Sequence, residues 1–189
     1  MIKEDTIAAI ATAPGEGGIG IVRISGDKAL DILKKIFVPA SSKIENRRLS
    51  YGHVVDPESG RTIDEVMAVY MKGPLSYTAE DVVEVHCHGS MISLRNILDL
   101  VIKSGAVLAE KGEFTKRAFL NGRLDLSQAE AVIDLIRAKS EKTFDVALNQ
   151  LSGAFSDKIR EIREDLTDIL VDITVNIDYP DEDIEEMTY

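Results

Sequence analysis

Apolar and β-branched residues along the first two thirds of the chain follow a period of two, which predicts β-strands. The turn residues Pro57 to Gly60 lie between two of these segments and predict a hairpin. In the segment 82–88, alternation places Val83, Val85 and Cys87 on one face and the polar residues on the other. The predicted strands are 21–24, 49–55, 64–71, 82–88 and 106–109.

Helical spacing of apolar residues predicts helices between and after these strands. One begins near Asp27, includes Phe37 on its apolar face and ends at Pro39, and another covers 90–104 and is capped by Gly105. One or two helical turns are expected over 114–120. Ser127 and Glu130 fit the capping box S-x-x-E and predict a helix that continues to about Ala138.

The last third of the chain carries one long apolar stripe whose steps alternate between three and four residues, as in helical bundles. A helix over 150–178 has a length of ~42 Å, whereas a ball of the preceding ~120 residues has a radius of gyration of only ~13–14 Å. The stripe therefore needs a partner, either through oligomerisation or from bundle helices beyond Tyr189. Tyr179-Pro180 is expected to end the helix, and the acidic residues 181–186 are expected to be mobile. The stripe comprises Leu148, Leu151, Phe155, Ile159, Ile162, Leu166, Ile169, Ile173 and Ile177.

Composition and charge narrow the class of protein. The 189 residues are 44% hydrophobic, which is typical of a globular chain. The net charge of −11 argues against a protein whose whole surface binds nucleic acid. No run of ~18 apolar residues and no secretory signal is present, so we expect no membrane span and a cytoplasmic location. The single Cys87 fits a reducing compartment.

Two motifs that suggest cofactors do not have the context that their chemistry needs. Gly15, Gly17 and Gly20 match G-x-G-x-x-G, but they lead into a strand instead of a helix, and no P-loop sequence occurs in the chain. In His86-Cys87-His88 the cysteine lies on the opposite strand face from the histidines, which disfavours a shared metal. We therefore expect no metal site and no catalysis by this chain alone.

Two other groups of residues are candidates for ligand binding. Arg23 and Glu84 form either a surface ion pair or a site where the carboxylate accepts paired N–H donors from a planar heterocycle. A basic cluster around Glu113-Phe114-Thr115 is either a solvated helix edge or a site for an anionic ligand tail. The basic residues of this cluster are Lys111, Lys116, Arg117 and Arg123.

Four blocks of sequence resemble the bacterial tRNA-modification GTPase family MnmE (TrmE). They are residues 5–9 with 13–26, 76–84 with 88–89, 112–131 and 177–182, and the third block, GEFTKRAFLNGRLDLSQAEA, is the most specific. The resemblance implies an α+β fold, with a mixed sheet and flanking helices like the folate-binding domain of aminomethyltransferases. Long helices of a truncated bundle follow, so the implied domains are 1–120 and 121–189.

The resemblance also implies ligands and partners. A 5-formyl- or 5,10-methylene-tetrahydrofolate is expected at Arg23, Glu84 and Arg123, and a homodimer is expected through the first domain. In the family, a G domain that is missing here uses GTP, K⁺ and Mg²⁺. With the FAD-dependent partner MnmG (GidA), such proteins add an aminomethyl-type group to the wobble uridine of certain tRNAs.

Two other functions compete with this interpretation. The chain could be a dimerisation and interaction scaffold without functional folate binding. It could also be a free-standing one-carbon transferase, although its length and its long helix disfavour that function.

Overall fold

The computed structural model describes residues 5–40 and 43–178. The chain divides into two compact units, the first ending at Leu124 and the second beginning at Asp125. The first unit combines a mixed sheet with helices and the second is helical. This confirms the predicted fold class, an α+β domain followed by helices.

The first unit is built on a seven-stranded sheet with the order β3-β4-β5-β6-β2-β1-β7. Neighbouring strands are antiparallel except β1 and β7, which are parallel, so the sheet is mixed. The predicted hairpin is confirmed as β4 and β5. The strands are β1 (Ile7–Ile10), β2 (Gly17–Ser25), β3 (Phe37–Pro39), β4 (Ser50–Val55), β5 (Thr62–Met71), β6 (Val82–Gly89) and β7 (Val107–Leu108).

Helices α1 (Ala29–Ile36) and α2 (Met91–Lys103) cover one face of this sheet. The predicted alternation in β6 is confirmed, because Val83, Val85 and Cys87 are buried in the core against these helices. Glu84 and Arg23 therefore lie on the other face of the sheet. The third helix of this unit is α3 (Glu113–Leu120).

The predicted end of the first helix at Pro39 is wrong. The helix ends at Ile36, and Phe37 takes an extended conformation with φ −110° and ψ 125°. Phe37 starts β3 and is paired with Val54 of β4, where its side chain is 4% exposed. Strand pairing thus takes over at Phe37, where it buries the side chain and gives the backbone a partner strand.

The second unit contains α4 (Leu126–Arg137), α5 (Glu141–Leu151) and α6 (Ala154–Asp178). The predicted capping box at Ser127 is wrong because the helix starts earlier, so Asp125 is the N-cap and pairs with Gln128. The helix expected from about residue 150 is interrupted near Gly153, where the sequence left a straight or a broken helix open. Gly153 has φ +94°, a left-handed conformation that ends the preceding helix before α6 begins.

Helix α6 has no buried residue within this unit. The side chains of its apolar stripe are exposed: Ile169 is the least exposed at 44% and Ile177 the most exposed at 71%. The predicted helix end at Tyr179-Pro180 and the predicted mobile tail lie outside the described residues. Among the helices that the structure describes, none combines the length and the apolar character needed to cross a membrane.

Candidate functional site

The pairing of β2 with β6 places Arg23 directly opposite Glu84 on the sheet face that α1 and α2 leave open. Arg23 Nε donates to Glu84 Oε1 at 2.8 Å, and Arg23 Nη2 lies 2.7 Å from the same oxygen. The two side chains are 27% and 16% exposed, respectively. The structure therefore brings together two of the three predicted site residues in a half-buried, charge-assisted contact.

The second oxygen of Glu84 faces His86, two residues further along the same strand. His86 Nε2 lies 3.2 Å from Glu84 Oε2. An ionised carboxylate has about four lone-pair positions, and the three nitrogens of Arg23 and His86 leave about one of them, on Oε2, for a further N–H donor. A flat ligand that donates a second N–H to Glu84 takes the place of one of these contacts.

The Tyr77 ring joins Arg123, the third predicted residue, to Arg23, and a second ring, Phe114, lies against Arg23. Arg23 Cζ lies 5.5 Å from the centre of the Tyr77 ring and 5.7 Å from that of Phe114, and Arg123 Cζ lies 4.9 Å from the Tyr77 ring. These are cation–π distances. We call Arg23, Glu84, Tyr77, Phe114 and Arg123 the Arg23 cluster.

Neither aromatic residue was predicted from the sequence to belong to a site. Tyr77 is in the loop between β5 and β6, and Phe114 is in the first turn of α3, so no periodicity connects them. Both occur in blocks that carry the family resemblance, and only Phe114 lies close in sequence to basic residues, Lys116 and Arg117. The Tyr77 hydroxyl also lies 2.9 Å from Thr115 Oγ1, which ties the loop to the helix.

The predicted basic cluster is corrected at Arg117. This side chain is buried, 5% exposed, and forms ion pairs with Glu80 and Glu113. Its position four residues after Glu113 on α3 favours that pairing. Arg117 is therefore not free to hold a ligand tail, whereas Lys116 and Arg123 are exposed.

A second polar group lies where β6 meets α2. Asp64 Oδ1 lies 2.6 Å from His88 Nδ1, and Asp64 Oδ2 accepts from the His88 backbone N–H at 3.0 Å and from the Ser93 hydroxyl. Burial tends to raise the pKa of Asp64, but the hydrogen bonds from Ser93 and His88 outweigh it and lower the pKa. Hydrogen bonding to Asp64 and its charge raise the pKa of His88.

That polar group joins secondary-structure elements and is not a metal centre. Across residues 5–40 and 43–178, no three or more His, Cys, Asp and Glu side chains are grouped so that they could hold a metal ion. The glycines of the G-x-G-x-x-G match run into β2 at Gly17, as the sequence indicated. A Cβ at Gly89 would lie 2.3 Å from the Gly17 carbonyl oxygen, so this close backbone approach requires glycine.

The second unit has a groove of about 590 Å³ between its first two helices. Val146 and Ala147 supply its apolar lining, and Arg137 and Lys142 lie at its polar edge. Its lining residues form no ion pair that matches the Arg23–Glu84 contact. The first unit therefore holds the better candidate for specific recognition.

Comparisons with known proteins cover both units. Residues 6–123 match the family described as GTP-binding protein TrmE N-terminus, and residues 126–189 match the MnmE helical domain. The chain is similar to proteins named tRNA modification GTPase MnmE from Clostridioides difficile and Alkaliphilus oremlandii, with identities of 59% and 56%. These alignments cover 100% and 99% of this chain but 42% and 41% of the two relatives. The chain thus spans about two fifths of the length of these relatives.

Proposed function

The chain belongs to the MnmE family of tRNA modification GTPases, and from that premise we propose that its first unit binds a reduced folate and forms a homodimer. The observation that supports this proposal is the Arg23 cluster. The three residues that the family resemblance assigns to folate lie on different elements, yet two of them are in contact and the third shares the Tyr77 ring with them.

Each residue of the cluster has a property that suits one part of a tetrahydrofolate. The Glu84 carboxylate accepts from the pterin amino and ring N–H groups, and a charge-assisted fork of this kind is strong and selective for geometry. Arg23 holds Glu84 in place and faces polar atoms of the ligand. Arg123, which is exposed, faces the anionic end of the folate. When bound, the folate supplies a one-carbon unit.

The activity of the whole protein is part of the same proposal. We assign this chain to a longer GTPase that uses K⁺ and Mg²⁺ in a G domain and acts with the FAD-dependent MnmG. Together they add an aminomethyl-type group to the wobble uridine of certain tRNAs. The 189 residues contain no P-loop motif, so the role of this chain is to bind the folate and not to hydrolyse GTP.

Isothermal titration with 5-formyltetrahydrofolate tests the binding proposal. Circular dichroism first establishes that the sample is folded. Saturable heat with one site per chain supports the proposal. A folded chain that gives no heat above dilution, at two temperatures so that a zero enthalpy is excluded, refutes it.

A dimerisation scaffold without folate binding is the second candidate, and one observation favours it. The open sheet face exposes Val38, Tyr51 and Met67, which are 56%, 46% and 41% exposed. Tyr51 is paired with Met67 across β4 and β5, so these side chains form one patch. Light scattering together with the titration separates the two functions, since a dimer that binds no folate is the result that the scaffold alone predicts.

A further inference from the structure

A buried ion pair lies beside the Arg23 cluster but is not part of it. Arg117 Nη1 lies 3.2 Å from Glu80 Oε1 and 3.3 Å from Oε2, and it also donates to the Asp5 carbonyl oxygen at 2.8 Å. Arg117 Nη2 donates to Glu113 Oε1 at 3.1 Å. The Arg117 and Glu80 side chains are 6% and 16% exposed, so both charges are largely withdrawn from water.

Glu80 connects this pair to the loop that carries Tyr77 and to the end of β2. The Ser25 hydroxyl donates to Glu80 Oε2 at 2.7 Å and lies 2.7 Å from Thr78 Oγ1. Between Thr78 and Glu80, Ala79 has φ +61°, a left-handed conformation that is unfavourable for a residue with a side chain. The contacts on both sides hold the loop in this conformation.

The far end of the same loop is fixed independently. The Tyr70 hydroxyl donates to Asp81 Oδ2 at 2.7 Å, and the Gly73 N–H donates to Asp81 Oδ1 at 2.9 Å. Burial, with the Asp81 contact, raises the pKa of Tyr70 to about 12, so the hydroxyl stays protonated and donates at neutral pH. The loop is therefore anchored on both sides of Tyr77.

The elements that Arg117 and Glu80 join are the elements that carry the Arg23 cluster. Strand β2 supplies Arg23, the loop supplies Tyr77, and α3 supplies Phe114 before the chain reaches Arg123. We propose that the Arg117–Glu80 pair is a positioning device that sets the aromatic rings against Arg23 and thereby determines the affinity of the cluster for its folate. This inference rests on the proposed function.

The Arg117–Glu80 pair orients its neighbours more than it stabilises the fold. A buried ion pair is often no more stabilising than apolar residues of the same size, because both charges lose their hydration. Its hydrogen bonds are directional, however, and an apolar contact allows neighbouring elements to slide. A binding site that needs its groups within about 0.5 Å of the productive arrangement gains from such bonds.

The test removes both charges of the Arg117–Glu80 pair together, because removal of one would leave the other buried without its partner. Glu113, which also loses Arg117, keeps the hydrogen bond from the Glu110 N–H. The double variant Arg117→Met/Glu80→Gln and the wild type are titrated with 5-formyltetrahydrofolate, and Tm is measured for each. We expect the double variant to be folded at the assay temperature and to bind about tenfold more weakly or worse. Arg117→Lys, which keeps the charge but loses the planar fork, is expected to bind with intermediate affinity.

Ile36→Val is the matched control for a general loss of stability. Ile36 is fully buried in α1, on the helix-covered face of the sheet, and the substitution lowers Tm without changing the ion pair. We expect its affinity to equal that of the wild type. Equal loss of affinity in Ile36→Val and the double variant would show that the pair contributes only stability, and it would overturn the inference.

The remaining outcomes separate the inference from the proposed function. If the wild type binds folate and the double variant binds equally well, the positioning role is refuted and folate binding stands. If the folded wild type binds no folate, both fail. Hydrogen exchange without ligand supplies an independent readout, since we expect faster exchange in 72–81 and 113–120 of the double variant and unchanged exchange in the β4–β5 hairpin. Unchanged exchange in those two segments also counts against the positioning role.

Discussion

Replacing Glu84 is the most informative perturbation of the proposed folate site. Glu84→Gln keeps the size of the side chain but removes the charge and converts one acceptor oxygen into a donor amide. In the structure, Glu84 Oε1 receives two guanidinium nitrogens of Arg23, at 2.7 Å and 2.8 Å. The variant therefore tests whether an ionised acceptor is needed at this position.

The size of the effect follows from these contacts. Losing paired hydrogen bonds to a charged acceptor, with donors left unsatisfied, costs roughly 2–4 kcal/mol of binding free energy. This corresponds to a Kd that rises about 30- to 700-fold. Folding is expected to lose only ~1 kcal/mol, because Arg23 is 27% exposed and regains water when its partner changes.

The assay is titration of wild type, Glu84→Gln and Glu84→Ala with 5-formyltetrahydrofolate at one pH, with urea denaturation of each. Glu45→Gln is the control, because Glu45 pairs with Arg48 on the surface, where the side chains are 55% and 73% exposed. We expect the control to bind like the wild type. Wild-type affinity in Glu84→Ala would remove this carboxylate from the site and refute the reasoning.

Three further predictions concern stability and association. Hydrogen bonding to Asp64 raises the pKa of His88, so their pairing stabilises the fold below about pH 6.5 and is lost as pH rises through that raised pKa. In urea denaturation, His88→Gln should therefore lose more stability at about pH 5.5 than at about pH 8.5, and equal losses would contradict the assignment. Asp125→Ala should destabilise the second unit by ~1 kcal/mol because it removes the N-cap. Ser127→Ala should be neutral or stabilising in the same measurement because the buried Ser127 hydroxyl has no hydrogen-bond partner. A larger loss of stability in Ser127→Ala than in Asp125→Ala would support the predicted capping box at Ser127 instead. Leu166→Glu, on the exposed stripe of α6, should change the free energy of unfolding by less than ~0.5 kcal/mol and should reduce concentration-dependent association in sedimentation; an unchanged sedimentation profile would show that the stripe makes no contact between chains.

The sheet predictions that the structure confirms were based on strand alternation and on turn residues. The pattern of β6 placed Glu84 on the face opposite Val83, and the Pro57-to-Gly60 signal placed the hairpin correctly. Both are local properties, because side-chain direction in a strand and chain reversal in a turn depend on a few neighbouring residues. The fold class followed from the resemblance to the family.

The errors arose where two local signals competed. Phe37 fits the apolar face of a helix and also a buried strand, and the pairing with Val54 decides between them. Asp125 and Ser127 both suit an N-cap, and only the start of the helix selects one. The sequence left a break near Gly153 open, because glycine within a helical stripe is compatible with a continuous helix or a break, and Gly153 forms the break.

The candidate site was predictable only in part for a different reason. The resemblance supplied Arg23, Glu84 and Arg123, but the rings that join them come from a loop and a helix distant in sequence. Contacts such as Arg123 with Tyr77 depend on the tertiary fold and leave no periodic signal in the sequence. The burial of Arg117 likewise depends on Glu80, which lies 37 residues away along the chain.

A structure of the chain bound to 5-formyltetrahydrofolate would show whether Glu84 binds the pterin. We expect the pterin on the open sheet face, with its N–H groups donating to Glu84 at about 2.7–3.2 Å and its anionic end towards Arg123. A bound folate at another surface, with Glu84 still held only by Arg23 and His86, would contradict this expectation.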